Sequence, residues 1–91
     1  MKLRFTQTAL RQIEQALSYI DARSPLGAGR VAQRTETVLA VLLDHPQAGQ
    51  ATSRQGVRRV VVTPYPYVIF YRVTPIEIVV QRFRHAARKP R

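Results

Sequence analysis

The spacing of hydrophobic residues divides the chain into a short alternating segment, a helical part and a longer alternating part. The segment "KLRF" at 2–5 alternates polar and apolar residues, which predicts a short first or edge strand. Hydrophobic residues then recur every three or four positions from Leu10 to Ile20, which predicts an amphipathic helix. Thr6 or Thr8 is suited to cap the start of that helix, because a threonine oxygen accepts hydrogen bonds from free backbone N–H groups.

A second helix is predicted after the break "DARSPLGAG". Ser24 precedes Pro25, and proline is tolerated at the first helical position because an N–H there would have no helical partner. Apolar residues continue at helical spacing to Leu43, and Pro46 is expected to end the helix one or two residues before it. The short link between the two helices predicts a helix hairpin.

Three alternating runs follow the segment 46–56, whose composition predicts a loop. The runs are "VRRVVVT" at 57–63, "YVIFYRV" at 67–73 and "IEIVVQRF" at 76–83. Short, proline-containing breaks separate them, so we expect an antiparallel meander. The predicted class is α+β with the order β-α-α-β-β-β. A two-helix hairpin then packs on one face of a small twisted, mainly antiparallel sheet, and the other face is left uncovered.

Length and composition indicate a single domain over residues 1–91. There is no cysteine, so disulfides and cysteine-type zinc sites are excluded. No other metal-ligand spacing and no glycine-rich phosphate loop is present, and no metal or cofactor is expected. The longest apolar run, "VLAVLL" at 38–43, is too short to span a membrane, and the N-terminus lacks a signal-peptide pattern. We therefore expect a soluble cytoplasmic protein without a membrane partner.

The distribution of charge is the most informative feature of the composition. Fifteen Lys and Arg face five Asp and Glu, a net charge of +10. Residues 54–91 hold nine of the basic residues and one acidic residue, Glu77. Such a surface predicts an anionic partner, either nucleic acid or an acidic protein. A general compositional bias toward arginine is the plain alternative, but it does not explain why the excess lies in the C-terminal half.

Alternation within the strands predicts the face on which each arginine lies. Arg58 and Arg59 are expected to point to opposite faces. Uninterrupted alternation places Arg82 and Arg84 on the same face as Val80. The end of the chain, residues 85–91, is interpreted as a basic tail that can be flexible in the free protein. The residues expected to contact an anionic target or partner are Arg59, Arg72, Arg82, Arg84, Arg88 and Lys89.

His85 is the only histidine in the basic C-terminal part. It could act as a general base toward the 2′-OH of RNA, or it could cap the last strand by a hydrogen bond to the backbone. Arginines are its only charged neighbours, and they are poor proton donors. A nuclease hypothesis would use Arg72, Arg82 and His85. The aromatic residues between 65 and 71 are expected to serve mainly in packing.

The whole chain resembles the RelE/ParE superfamily of toxins from bacterial type II toxin–antitoxin systems, and within it the ParE branch. The resemblance rests on the element order, on "SPLGAGRV" at the start of the second helix, and on "VRRVVV" and "PYVIFYRV". It rests above all on "EIVVQRFRHAARKP", which is similar to the Val-x-His-x-x-Arg-x-Pro ending of the ParE branch.

The resemblance to the ParE branch implies a toxin that inhibits DNA gyrase by binding, without a hydrolytic centre. It also implies a cognate acidic, ParD-like antitoxin, through which alone the toxin would contact operator DNA. The RelE branch implies the alternative, an endoribonuclease that cuts messenger RNA on the ribosome. A general nucleic-acid-binding module would fit the charge but leaves the resemblance unexplained.

Overall fold

The computed structural model describes residues 1–87. In chain order its elements are β1 (Lys2–Phe5), α1 (Gln7–Asp21), α2 (Pro25–Asp44), β2 (Gln50–Ala51), β3 (Val57–Val61), β4 (Tyr67–Val73) and β5 (Glu77–His85). The strands form one sheet in the order β1-β5-β4-β3-β2. The β2–β3, β3–β4 and β4–β5 pairs are antiparallel, and β1 pairs with β5 in parallel. The predicted α+β class and the antiparallel meander are confirmed.

Both helices begin at polar caps of the kind that the sequence predicted. The Thr6 hydroxyl accepts a hydrogen bond from the Ala9 N–H, and the Ser24 hydroxyl accepts one from the Gly27 N–H, each at 3.0 Å. Of the two candidate caps of α1, Thr6 is therefore the one used, while Pro25 begins α2 as expected. Within residues 1–87, neither helix has the length and apolar character needed to cross a membrane.

The segment 46–56 contains a short strand that the sequence did not reveal. Gln50 and Ala51 pair with Arg59 and Arg58 and add β2 to the outer edge of β3. Two residues are too few to show an alternating pattern, and neither is of a type enriched in strands. The prediction that 46–56 is only a loop is wrong at these two positions.

A buried tyrosine fixes the backbone that leads into β2. The Tyr71 hydroxyl donates to the Pro46 carbonyl at 2.9 Å and accepts from the Gly49 N–H at 2.9 Å. Arg58 donates to the Gly49 carbonyl at 2.8 Å. A Cβ at Gly49 would overlap the Tyr71 hydroxyl, so the chain can pass this closely only with glycine. Burial raises the pKa of Tyr71.

The helices cover one face of the sheet, as predicted, and the hydrophobic core lies between the two layers. Helical residues in the core are Ala9, Val31, Val38, Leu39 and Leu42. Core residues from the strands and the β3–β4 turn are Val62, Tyr67, Ile69, Tyr71, Ile78, Val80 and Phe83. The opposite face, here called the open face, carries Val57, Arg59, Val61, Val68, Phe70, Arg72, Val79, Arg82 and Arg84, with Arg4 and Glu77 toward β1.

A β-bulge interrupts the alternation of β5. Phe70 pairs with Arg82, whereas the next pair along the two strands joins Tyr71 to Val80. Gln81 is therefore an extra residue on β5 without a partner on β4. Because one added residue shifts the period-2 pattern by one position, side chains beyond Gln81 point to the face opposite to the one that simple alternation predicts.

The bulge reverses the predicted orientation of the arginines on β5. Arg82 and Arg84 lie on the open face with Phe70, and the prediction that they share the face of Val80 is wrong. Phe83 takes the core position instead and is 3% exposed. The alternation of β5 breaks at Gln81, and a polar glutamine gives no signal of a bulge in the sequence.

Candidate anion-binding face

Cross-strand pairing groups the predicted arginines around an aromatic side chain. Arg59 on β3 and Arg82 on β5 lie directly opposite Phe70 of β4, one on each side. Arg72 and Arg84 occupy neighbouring open-face positions on β4 and β5. The fold therefore brings four of the six residues expected to bind an anionic partner onto one face.

The open face also contains a layer of buried valines. Val57, Val68 and Val79 are 5%, 3% and 6% exposed although no helix packs over them. Arg72 pairs with Val57 and Val79, and Arg84 pairs with Val68, so the aliphatic stems of these arginines are placed to cover the valines. The guanidinium groups therefore lie above these three valines, which are here called the apolar floor.

The only acidic residue of the open face is already neutralised. Glu77 accepts hydrogen bonds from Arg4, with Nη2 at 3.0 Å from Oε2. This hydrogen bond lowers the pKa of Glu77. It is the only ion pair within residues 1–87. The arginines around Phe70 therefore have no acidic partner in that part of the chain.

Two adjoining clefts are lined by Arg54 and Arg82. The first, of about 240 Å³, is lined by Thr52, Ser53, Arg54, Val57, Phe70, Gln81, Arg82 and Arg84. The second, of about 260 Å³, is lined by Thr6, Thr8, Arg54, Gln81 and Arg82. Arg54 comes from the loop between β2 and β3 and lines both clefts. Sequence reasoning missed it because one arginine in a polar loop belongs to no periodic pattern.

Three guanidinium groups of the clefts make no contact of their own with residues 1–87. The side chains of Arg54, Arg82 and Arg84 donate no hydrogen bond to any described residue, and none of them forms an ion pair there. Arg72 differs, because its Nη1 donates to the Gln55 carbonyl at 3.3 Å. The clefts thus hold three cations whose guanidinium donors are not used by residues 1–87.

Arg59 is partly buried, and Arg72 lies close to the turn before β3. Arg59 has a buried Nε without a hydrogen-bond partner in the described part of the chain. The turn before β3 reaches Arg72 through Gly56, whose φ is +78°. A Cβ at Gly56 would lie 2.7 Å from Arg72 Nη1, so the turn approaches this guanidinium closely.

His85 is on the other side of the sheet from the arginine group. It pairs with Tyr67, and the two rings meet edge to face with centroids 5.3 Å apart. Its Nδ1 accepts a hydrogen bond from the Ala87 N–H at 3.2 Å. The structure therefore brings Arg72 and Arg82 together on the open face and leaves His85 outside that group.

The remaining predicted contacts, Arg88 and Lys89, lie outside the described residues, as does most of the predicted tail 85–91. Within residues 1–87 no group of three His, Asp or Glu side chains is placed to hold a metal ion. Fold and site together define a small α+β protein with a cationic sheet face, a class suited to binding an anionic macromolecule.

Comparison with known proteins identifies the family. The family model described as "ParE toxin of type II toxin-antitoxin system, parDE" matches residues 3–90. The toxin RelE2 of Caulobacter vibrioides is 38% identical over 84 residues, which cover 92% of this chain and 93% of that protein. The chain therefore belongs to the ParE toxin family within the RelE/ParE superfamily, and the resemblance inferred from the sequence is confirmed.

Solved structures show the same fold. The chromosomal ParDE toxin–antitoxin system from P. aeruginosa matches with a TM-score of 0.80 at 22% identity, covering 93% of this chain and 95% of that one. The E. coli DinJ–YafQ complex matches with a TM-score of 0.65 at 13% identity, covering 94% and 93%. The chain thus has the fold of these structures, and its place in a toxin family of the type II toxin–antitoxin class rests on the family model that matches residues 3–90.

Proposed function

We propose that this toxin inhibits DNA gyrase by binding to it, and that a cognate acidic, ParD-like antitoxin neutralises it. The supporting observation is the open face, where Arg59, Arg72, Arg82 and Arg84 surround Phe70 and have no acidic partner in the described part of the chain. Unpaired guanidinium groups above an apolar floor suit a negatively charged protein surface. Gyrase acts in the cytoplasm, so the proposal includes a cytoplasmic location.

The antitoxin would contact the same face. An acidic segment that is disordered alone can fold on the toxin and place its carboxylates against the arginines. Operator DNA would be bound by the antitoxin and would contact the toxin only indirectly. The likeness to the ParDE and DinJ–YafQ assemblies supports such a pairing.

Binding is favoured over catalysis by the chemistry of the face. Cleavage of RNA needs a group that takes a proton and a group that gives one. The open-face groups beside Arg82 are guanidiniums, which stay protonated and are poor proton donors. The one nearby imidazole, His85, lies on the opposite side and accepts a hydrogen bond from the backbone N–H of Ala87.

A supercoiling assay with purified toxin and purified DNA gyrase tests the proposal. We expect the wild-type protein to inhibit supercoiling and the double variant Arg82→Gln with Arg84→Gln to inhibit at least about tenfold less, equivalent to about 1.4 kcal/mol of binding. The double variant Arg11→Gln with Arg30→Gln, at exposed positions of α1 and α2, removes the same charge and should retain inhibition as the matched control. Normal supercoiling in the presence of excess wild-type toxin would refute gyrase as the target.

The second candidate is a ribosome-dependent endoribonuclease that uses Arg72, Arg82 and His85. The 38% identity to a toxin named RelE2 favours it. A translation assay run beside the supercoiling assay separates the two. Under our proposal His85→Ala keeps its toxicity and messages stay intact. Cleaved messages with the wild type, together with loss of toxicity in His85→Ala, would support the nuclease instead.

A further inference from the structure

The two adjoining clefts share two of their arginines. Arg54 and Arg82 line both the cleft on the open face and the cleft that runs toward the start of α1. Gln81, the bulge residue, is the third shared residue. A ligand with two linked anionic groups, one in each cleft, would therefore interact with the same pair of guanidiniums from both sides.

The donors available in the clefts exceed what one carboxylate can accept. Arg54, Arg82 and Arg84 each offer a guanidinium with five N–H donors, and none is used within the described chain. The hydroxyls of Ser53 and Thr8 add one donor to each cleft and make no hydrogen bond to described residues. A planar carboxylate has two oxygens on one side, whereas a phosphoryl group presents oxygens in several directions.

We propose that the two clefts together bind a pair of linked phosphoryl groups, with Arg54 and Arg82 between them. The first cleft is bordered by Phe70, a half-buried aromatic ring that can stack with an organic base attached to the phosphate. The ligand class is therefore a diphosphate, either free, as in pyrophosphate or a nucleoside diphosphate, or as neighbouring phosphates of a nucleic-acid strand. No bond is broken in this binding.

Titration calorimetry of the purified full-length protein with sodium pyrophosphate, at constant ionic strength, tests the site. We expect Arg54→Gln and Arg82→Gln each to weaken binding at least about tenfold, while Arg11→Gln binds as the wild type does. Orthophosphate should bind at least about tenfold more weakly than pyrophosphate, because it fills only one cleft. Thermal unfolding of each variant shows whether it is folded before binding is compared.

Three results would overturn the proposal. One is an equal loss of binding in Arg11→Gln, which would show attraction to net charge alone. Another is orthophosphate binding as tightly as pyrophosphate. The third is a glutamate oligopeptide that binds as tightly as pyrophosphate at the same ionic strength.

Comparing ADP with a short single-stranded DNA distinguishes the two sources of the phosphoryl pair. If the DNA binds more tightly and loses affinity in Arg54→Gln, the phosphates come from a strand. If ADP binds more tightly, the ligand is a free nucleotide. These measurements use the toxin alone, so their outcome does not depend on whether gyrase is its target.

Discussion

At the scale of single residues, Tyr71 joins β4 to the segment that leads into β2. Its hydroxyl holds the Pro46 carbonyl and the Gly49 N–H, both at 2.9 Å, and its ring is fully buried. Tyr71→Phe removes the hydroxyl and leaves two backbone groups without a partner. We expect a loss of about 1–3 kcal/mol in the free energy of unfolding, measured by urea denaturation.

The control for this substitution is Tyr65→Phe. Tyr65 is half-buried, and its hydroxyl has no hydrogen bond to any described residue. We expect its effect to stay within about 0.5 kcal/mol. A Tyr71→Phe protein as stable as the wild type would show that water replaces the hydroxyl and that the tyrosine does not hold the segment leading into β2.

Tyr71 also predicts how stability responds to alkaline pH. Burial raises its pKa in the folded protein, although the hydrogen bond with Gly49 and the charge of Arg58 act in the other direction. In the unfolded chain a tyrosine ionises near pH 10, so above about that pH the unfolded state binds fewer protons than the folded state. The free energy of unfolding must then fall as pH rises.

Urea denaturation of the wild type and of Tyr71→Phe between about pH 9 and pH 11 measures this effect. We expect the wild type to lose stability more steeply than the variant, because the variant lacks the group that titrates. Parallel pH profiles for the two proteins would mean that Tyr71 ionises as readily in the fold as in the unfolded chain.

At the scale of elements, the bulge in β5 decides which face the arginines occupy. Its backbone is held from the start of α1. The Thr6 hydroxyl donates to the Gln81 carbonyl at 3.1 Å, and the Thr6 N–H donates to the Val80 carbonyl at 3.0 Å. The Gln12 side chain accepts the Phe83 N–H at 2.8 Å. The cap of one helix therefore also secures the extra residue of the strand.

Deletion of Gln81 tests this arrangement. Without the extra residue, Arg82 follows Val80 directly in regular alternation, so Arg82 stays on the open face and Phe83 stays in the core. We expect the deletion variant to fold and to lose about 1–3 kcal/mol in the free energy of unfolding, because the Gln81 carbonyl that accepts from the Thr6 hydroxyl is removed. Thermal unfolding and soluble yield report the result.

Gln81→Ala is the matched control for the deletion, because it keeps the backbone carbonyl that Thr6 binds. We expect this variant to be folded and to lie within about 1 kcal/mol of the wild type. A deletion variant as stable as Gln81→Ala would show that the hydrogen bond from Thr6 to the bulge contributes little to the stability of the fold.

The bulge also marks the limit of what the sequence could predict. Caps at Thr6 and Ser24, and a helix that ends before Pro46, follow from local chemistry and were predicted. The faces of Arg82 and Arg84 were not, because the bulge depends on contacts from α1 that are distant in sequence. The strand β2 and the position of Arg54 were missed for the same reason: tertiary contacts fix them, and no local pattern does.

At the scale of the whole molecule, the charges are segregated by layer. Four of the five acidic residues lie on the helices, namely Glu14, Asp21, Glu36 and Asp44. The fifth, Glu77, is paired with Arg4 at the edge of the open face. The helical layer therefore carries mixed charge, while the open face is almost entirely cationic. This segregation directs anionic partners to one side of the protein.

Two double variants with the same net charge show whether binding depends on where the positive charges lie or only on how many there are. Arg82→Glu with Arg84→Glu, and Arg11→Glu with Arg30→Glu, each lower the net charge of +10 by four. Only the first pair changes the open face. We expect it to elute from immobilised heparin at a clearly lower salt concentration than the second pair, because clustered charges dominate the local potential.

Growth of bacteria after induced expression of each variant compares their toxicity in the same way. The variant of the helical layer should arrest growth as the wild type does, and the open-face variant should not. The helix substitutions alter exposed positions and should cost less than about 0.5 kcal/mol each, so that variant is expected to fold. Thermal unfolding shows whether the open-face variant is folded before growth is compared. If the two variants elute at the same salt concentration and arrest growth equally, binding depends only on the total charge of the protein. The open face is then not the surface that binds the partner.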